Sequence, residues 1–150
     1  MKGNRLEDTL NQLDVDTNAL KNLIEILRRA ALWSQQNTDT DGVDWILGID
    51  MLTEAATRLE ADASEVADMA ARDKDAGALS ACNVLRTEIS KVKDLISIFL
   101  TASVSDAEGG HPRLSWAAGF EAIFDMIGGI EKLNETVWVA CQPKLAPAKP

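Results

Sequence analysis

The residues best suited to chemistry in this 150-residue chain lie in one polar stretch, Asn37-x-Asp39-x-Asp41-Gly42. An EF-hand calcium loop carries oxygen ligands at positions 1, 3 and 5 and glycine at position 6, and the stretch fills those positions. Position 12 of such a loop supplies a bidentate glutamate, whereas this chain has Gly48 there. We therefore predict a polar turn that caps the next helix, and no calcium site.

Histidine and cysteine are the other candidate ligands and nucleophiles. The single histidine, His111, stands in a Gly-Gly-His-Pro segment between helices, whereas di-iron bundles need histidine on a helix face. Cys82 and Cys141 fall on predicted core positions near the same end of two neighbouring helices. We predict two buried, reduced thiols, and leave open whether they touch as a redox pair. The sequence thus predicts no enzyme, no metal and no cofactor.

The elements that position these residues are set by apolar periodicity. Apolar residues recur at alternating steps of four and three in four runs, 6–31, 45–70, 78–103 and 116–141. Steps that average about 3.5 residues keep one stripe of a helix facing its neighbours. The sequence therefore predicts an all-α fold, an antiparallel up-down-up-down four-helix bundle with heptad core stripes.

The predicted bundle spans 1–141, and the Pro- and Lys-containing segment 142–150 is predicted to be a disordered tail. Two of the few polar residues on the stripes, Thr17 and Asn134, fall in the same half of the bundle. We predict that they pair and fix the helix register. We expect Gly48 to allow close approach of a neighbouring helix. We expect Gly128-Gly129 to kink the fourth helix or to admit a bulky side chain.

The charge is unevenly distributed along the chain. The net charge is −9, and residues 37–75, with eleven acidic and three basic side chains, carry −8 of it. This excess disfavours direct contact with nucleic acid or an anionic membrane. The chain shows neither a signal peptide nor an apolar stretch of about 20 residues that could span a membrane. We expect a soluble, cytoplasmic protein.

One end of the predicted bundle collects large apolar residues, several of them off the core stripes, beside the acidic second helix. The residues predicted to contact a partner are Leu32, Leu47, Leu100, Asp44, Asp50 and Glu54. The function predicted from this pattern is a non-enzymatic protein-interaction module: an adaptor, a chaperone-like partner or an inhibitor. Its partner would be a protein with basic groups, or a second copy of the chain. Two alternatives stay open, an anionic decoy for a nucleic-acid-binding protein and a bundle that binds a small ligand.

Overall fold

A computed structural model describes residues 2–36, 45–107 and 116–145, and nearly all of them are helical. The helices are α1 (Lys2–Gln36), α2 (Trp45–Arg72), α3 (Ala76–Ala107) and α4 (Trp116–Cys141). Each helix packs against its two neighbours in a closed ring, α1 against α2, α2 against α3, α3 against α4 and α4 against α1. The four-helix bundle predicted from the apolar spacing is confirmed.

The core consists of the four predicted stripes. Every stripe position whose side chain is described is buried, apart from Phe99 and Trp116, which are half-buried at one end. There Phe99, Trp116 and Phe120 form an aromatic cluster with ring centroids 6.1–6.2 Å apart. The opposite end is closed by small residues such as Ala70 and Ala78. Each large buried side chain contributes roughly 1.5–3 kcal/mol relative to exposure, so the stripes supply most of the driving force for folding.

The predicted polar pair in the core is confirmed. Asn134 and Thr17 are both buried, and the Asn134 Nδ2 donates a hydrogen bond to the Thr17 Oγ1 at 2.8 Å. The Thr17 hydroxyl in turn donates to the carbonyl oxygen of Leu13 at 2.7 Å. A polar layer of this kind favours one alignment of α1 against α4, because a slipped register would leave both groups buried without partners.

The expectations for Gly48 and for Gly128-Gly129 have different outcomes. A Cβ built on Gly48 would lie 2.7 Å from the Cδ2 of Leu27, so the predicted close approach of α1 is confirmed. At Gly128 and Gly129 a built Cβ meets no atom within 4 Å among the described residues, and α4 continues through both. The expected bulky neighbour is therefore wrong. The steric need for glycine on α4 is at Gly119, where a Cβ would collide with the Phe99 ring.

The connection between α2 and α3 is a tight turn. Lys74 adopts a positive φ of 56°, and the Asp75 N–H donates to the Ala70 carbonyl, as in a Schellman helix end. The Asp75 Oδ1 then caps α3 by accepting the Ala78 N–H at 3.0 Å, a bond that lowers the pKa of Asp75. The Lys144 Nζ lies 3.3 Å from the Asp73 Oδ2 and 3.4 Å from the Asp75 Oδ2.

The segment predicted to be a disordered tail therefore starts with structure. Gln142–Lys144 form a 3-10 turn, which the ion pairs of Lys144 tie to the α2–α3 turn. The calcium-loop resemblance at 37–42, His111 and the end of the tail lie outside the described residues, and those predictions stay untested. None of the described helices combines the length and apolarity needed to cross a lipid bilayer.

Candidate functional site

Exposed apolar side chains gather in one half of the bundle. Of the nine large apolar side chains exposed among the described residues, six lie toward the end where α1 and α3 finish and α2 begins. These six are Ile26, Leu32, Trp33, Leu47, Met51 and Ile98. Such clustering is a departure from the scattered exposure that is normal for a folded surface, and it marks this half as a candidate interface.

Three of these side chains flank the groove between α1 and α2. The ion pair of Arg5 with Glu65, at 2.9 Å, shows which edge of each helix faces the other. Ile26 and Trp33 follow Arg5 by whole multiples of seven residues, so they lie on the same edge of α1. Met51 precedes Glu65 by 14 residues and lies on the matching edge of α2. The groove is thus bordered by apolar side chains from both helices.

Leu47 extends this apolar border on α2. It is 66% exposed and precedes Met51 by four residues, which places both on neighbouring turns of one face. Asp50 and Glu54 are exposed on adjoining positions of α2, and no base among the described residues pairs with either carboxylate. We call these six residues the α1–α2 surface: Ile26, Trp33, Leu47, Asp50, Met51 and Glu54.

The structure separates the predicted contact residues. Leu47 and Glu54 lie on the outer face of α2, and Asp50 forms the α3-side rim of the α1–α2 surface, because it precedes Ser64 of the α2–α3 groove by 14 residues. Leu32 is 41% exposed, but it follows Arg28 by four residues on the α1 edge that faces α4, where Arg28 lies over the Phe124 ring. Leu100 is partly buried and packs against the core, so it offers a partner little area. Asp44 lies outside the described residues.

Ile26, Trp33 and Met51 were not among the contact residues predicted from the sequence, although a signal for them exists. All three stand off the core stripes, and Ile26 is 64% exposed. Ile26 precedes Trp33 by seven residues, and Met51 follows Leu47 by four. These apolar repeats beside the core stripes are the sequence signal for the residues that border the groove.

The acidic face of α2 is less continuous than its sequence suggests. Glu60 pairs with Lys93 of α3 at 3.0 Å, and Glu65 pairs with Arg5 of α1 at 2.9 Å. Pairs exposed to solvent contribute little stability, about 0–1 kcal/mol, but they neutralise part of the charge. The carboxylates that stay unpaired and exposed, such as Asp50 and Glu54, are next to the apolar border.

A pair of carboxyl groups lies in the seam between α1 and α2. Asp16 is buried and accepts a hydrogen bond from the Gln12 Nε2 at 3.1 Å. Burial, together with the hydrogen bond and the charge of Asp16, raises the pKa of Asp62 to about 7. The Asp62 carboxyl therefore keeps its proton to near neutral pH, because burial and the neighbouring Asp16 disfavour its ionised form. The seam therefore carries a like-charge strain once that proton leaves.

Both thiols are buried and free, as predicted. Burial raises the pKa of each, that of Cys82 to about 11, and the charge of Cys141 adds to the effect at Cys82. The two side chains are therefore near each other but unbonded, and they are poor nucleophiles at neutral pH. Across the described ranges, no group of three or more His, Cys, Asp or Glu side chains is arranged to hold a metal ion.

The chain matches no protein-family model, no curated protein and no solved structure. Any function must therefore be inferred from the surface and the seams of this bundle.

Proposed function

We propose that the protein is a non-enzymatic protein-interaction module that binds a protein partner through the α1–α2 surface. One observation carries the proposal: an exposed apolar border on two helices stands directly beside unpaired carboxylates. An apolar patch rimmed by charge is the usual composition of a protein interface. The rigid helices hold the patch in place without a partner, so little ordering entropy is lost on binding.

The surface also indicates the chemistry of the partner. Leu47 and Met51 would fill an apolar pocket or groove, while Asp50 and Glu54 would face Lys or Arg side chains at its rim. An adaptor, a chaperone-like partner and an inhibitor all fit this description. The pairing of Glu60 and Glu65 with bases leaves fewer free carboxylates for imitating a nucleic acid backbone, so a decoy is less supported.

Affinity capture with matched variants tests the proposal. The full chain is immobilised in a lysate of cells that produce it, and bound proteins are quantified by mass spectrometry. Leu47→Glu and the double variant Asp50→Lys/Glu54→Lys should each lose the partner. Val139→Glu, which changes an equally exposed apolar residue at the opposite end, and Asp8→Lys/Asp68→Lys should keep it. All four should melt like the wild type, because surface changes usually stay within about 0.5 kcal/mol.

The salt dependence of capture and the molecular mass of the protein in solution distinguish the remaining alternatives. Capture that persists at about 0.5 M salt supports an apolar interface, whereas a steep loss supports the decoy alternative. If light scattering shows a dimer that Leu47→Glu converts to a monomer, the partner is a second copy of the chain. Full capture by both the Leu47 and the Asp50/Glu54 variants would show that the interface lies elsewhere.

A further inference from the structure

A second surface feature lies in the opposite half of the bundle, where α1 and α4 leave a groove of about 530 Å³. Thr17 and Asn134 form its floor, since both are buried yet line it. Asp14 borders it from α1, while Glu135 and Trp138 border it from α4. The groove shares no residue with the α1–α2 surface.

The floor of the groove holds a polar atom with no partner. Asn134 is only 3% exposed, and its Nδ2 is committed to the Thr17 Oγ1. Its Oδ1 has no hydrogen-bond donor. An unmet buried acceptor costs about 1–3 kcal/mol, so native structures seldom retain one without a use. A hydrogen-bond donor that enters the groove would meet this need.

The rim of the groove carries the carboxylates of Asp14, Glu131 and Glu135, with the side-chain amide of Asn18 beside them. The Trp138 Nε1 already donates to the Asp14 Oδ2 at 2.9 Å, and Lys21 is paired with Glu131 at 2.9 Å. Asp14 and Glu135 have no base opposite them in the part of the chain that the structure describes. Burial raises the pKa of Asp14, and the charge of Glu135 adds to that effect. A positively charged hydrogen-bond donor between Asp14 and Glu135 would reduce the repulsion between the two carboxylates.

The flank of the groove is apolar. The Trp138 ring and the exposed Val139 line its α4 side, next to the carboxylates. An indole face attracts cations and also packs well against methylene groups. The groove therefore combines hydrogen-bond acceptors, Asp14 and Glu135, with the apolar side chains of Trp138 and Val139 beside them.

We propose that this groove binds a small aliphatic amine cation. Its ammonium N–H groups donate to Asp14, Glu135 and the Asn134 Oδ1, and its methylene chain lies along Trp138 and Val139. The same chemistry is offered by a free diamine and by a lysine side chain of another protein. The free amine is favoured because Asn134 lies at the buried floor of the groove, which a folded surface would not enter.

Isothermal titration of the full chain with 1,4-diaminobutane, at constant ionic strength, tests the proposal. We expect saturable binding that Asp14→Asn/Glu135→Gln weakens at least about tenfold, the effect of losing a charge-assisted hydrogen bond. The matched double variant Asp50→Asn/Glu54→Gln should bind like the wild type. Asn134→Leu, which fills a core position, should also lose about tenfold in affinity.

Several results would overturn it. Absence of saturable heat, or equal loss in both double variants, would leave only a diffuse charge effect. Equal binding of tetramethylammonium, which has no N–H donor, would exclude the hydrogen-bonded site. Binding of an acetylated Gly-Lys-Gly amide without binding of 1,4-diaminobutane would assign the groove to a protein side chain and exclude the free amine.

Discussion

The two seams of α1 differ in how well their contacts are matched. Toward α4, contacts recur every seven residues: Asp14 accepts from Trp138, Lys21 pairs with Glu131, and Arg28 lies 5.4 Å from the centroid of the Phe124 ring. These partners run in opposite directions along the two helices, as antiparallel packing requires.

Toward α2, the contacts become less favourable from the start of α1 to its end. It begins with the Arg5–Glu65 ion pair, continues with the Asp16–Asp62 carboxyl pair, and ends at the exposed Ile26 and Met51. Groups that cost stability without aiding the fold are expected where a protein serves another purpose. The more regular contacts are therefore on the α4 side of α1, and the surface proposed to bind a partner borders the α2 side.

The largest loss of folding stability should come from substitutions in the core, which both interfaces of α1 border. Leu20→Ala removes a fully buried side chain of α1 and should destabilise by about 2–5 kcal/mol in urea unfolding. Val15→Ala, on the exposed side of the same helix, should change stability by less than about 0.5 kcal/mol. Equal costs at the two positions would mean that α1 does not present its stripe to the core.

The polar layer of the α4 seam gives the next effect. Thr17→Val leaves the amide nitrogen of Asn134 buried without an acceptor and should cost about 1–3 kcal/mol. The double variant Thr17→Val/Asn134→Leu should recover most of that loss, because an apolar layer has no unmet polar group. An additive loss in the double variant would show that the hydrogen bond does not couple the two residues.

The carboxyl pair of the α2 seam predicts a pH dependence. The raised pKa of Asp62 means that the folded chain holds a proton between pH 3.8, the ordinary value, and about 7, where the unfolded chain has released it. Stability linked to Asp62 is therefore full below that window and is lost as pH rises through 7. Asp62→Asn removes the loss, so it should stabilise at pH 8 by about 1 kcal/mol after solvent screening.

Thermal melting at pH 8 and pH 5 checks this prediction. The advantage of Asp62→Asn over the wild type should shrink at the lower pH, where the wild-type carboxyl regains its proton. Asp68→Asn, an exposed carboxylate on the same helix, is the matched control and should show no such change. A benefit of equal size at both pH values would exclude the proton held by Asp62 as its cause.

The smallest stability changes are expected from alanine substitutions at two helical glycines. Gly128→Ala meets no neighbour and should stabilise α4 by up to about 1 kcal/mol through helix propensity. Gly48→Ala gains the same propensity but must displace Leu27, so its melting temperature should not rise. A loss of stability in Gly128→Ala would indicate a close contact at that position.

The bundle could be predicted from the sequence because its information is local and periodic. The stripe of α4, from Phe120 to Cys141, is buried at every position. The Thr17–Asn134 pair followed from the same periodicity, since two polar exceptions in one half of the core require each other.

The candidate interface was only partly predictable. Leu47, Asp50 and Glu54 were named from the sequence and are exposed, but separating Leu32 and Leu100 from them required knowing which edge of each helix faces which neighbour. Sequence spacing places residues on one helix, whereas contacts such as Arg5–Glu65 and Arg28–Phe124 set the neighbours of α1. The raised pKa of Asp62 depends on the same cross-helix alignment, which brings it beside Asp16, and has no signal within either helix.

The most direct test of the α1–α2 surface is site-specific photo-crosslinking in cells that produce the protein. A photoreactive amino acid replaces either Leu47 or Val139, which are 66% and 64% exposed at opposite ends of the bundle. The proposal predicts a crosslinked partner from position 47 and none from position 139. Excess wild-type chain should compete that product away, and excess Leu47→Glu chain should not. Equal crosslinking from both positions, or a product from position 139 alone, would contradict a partner site on the α1–α2 surface.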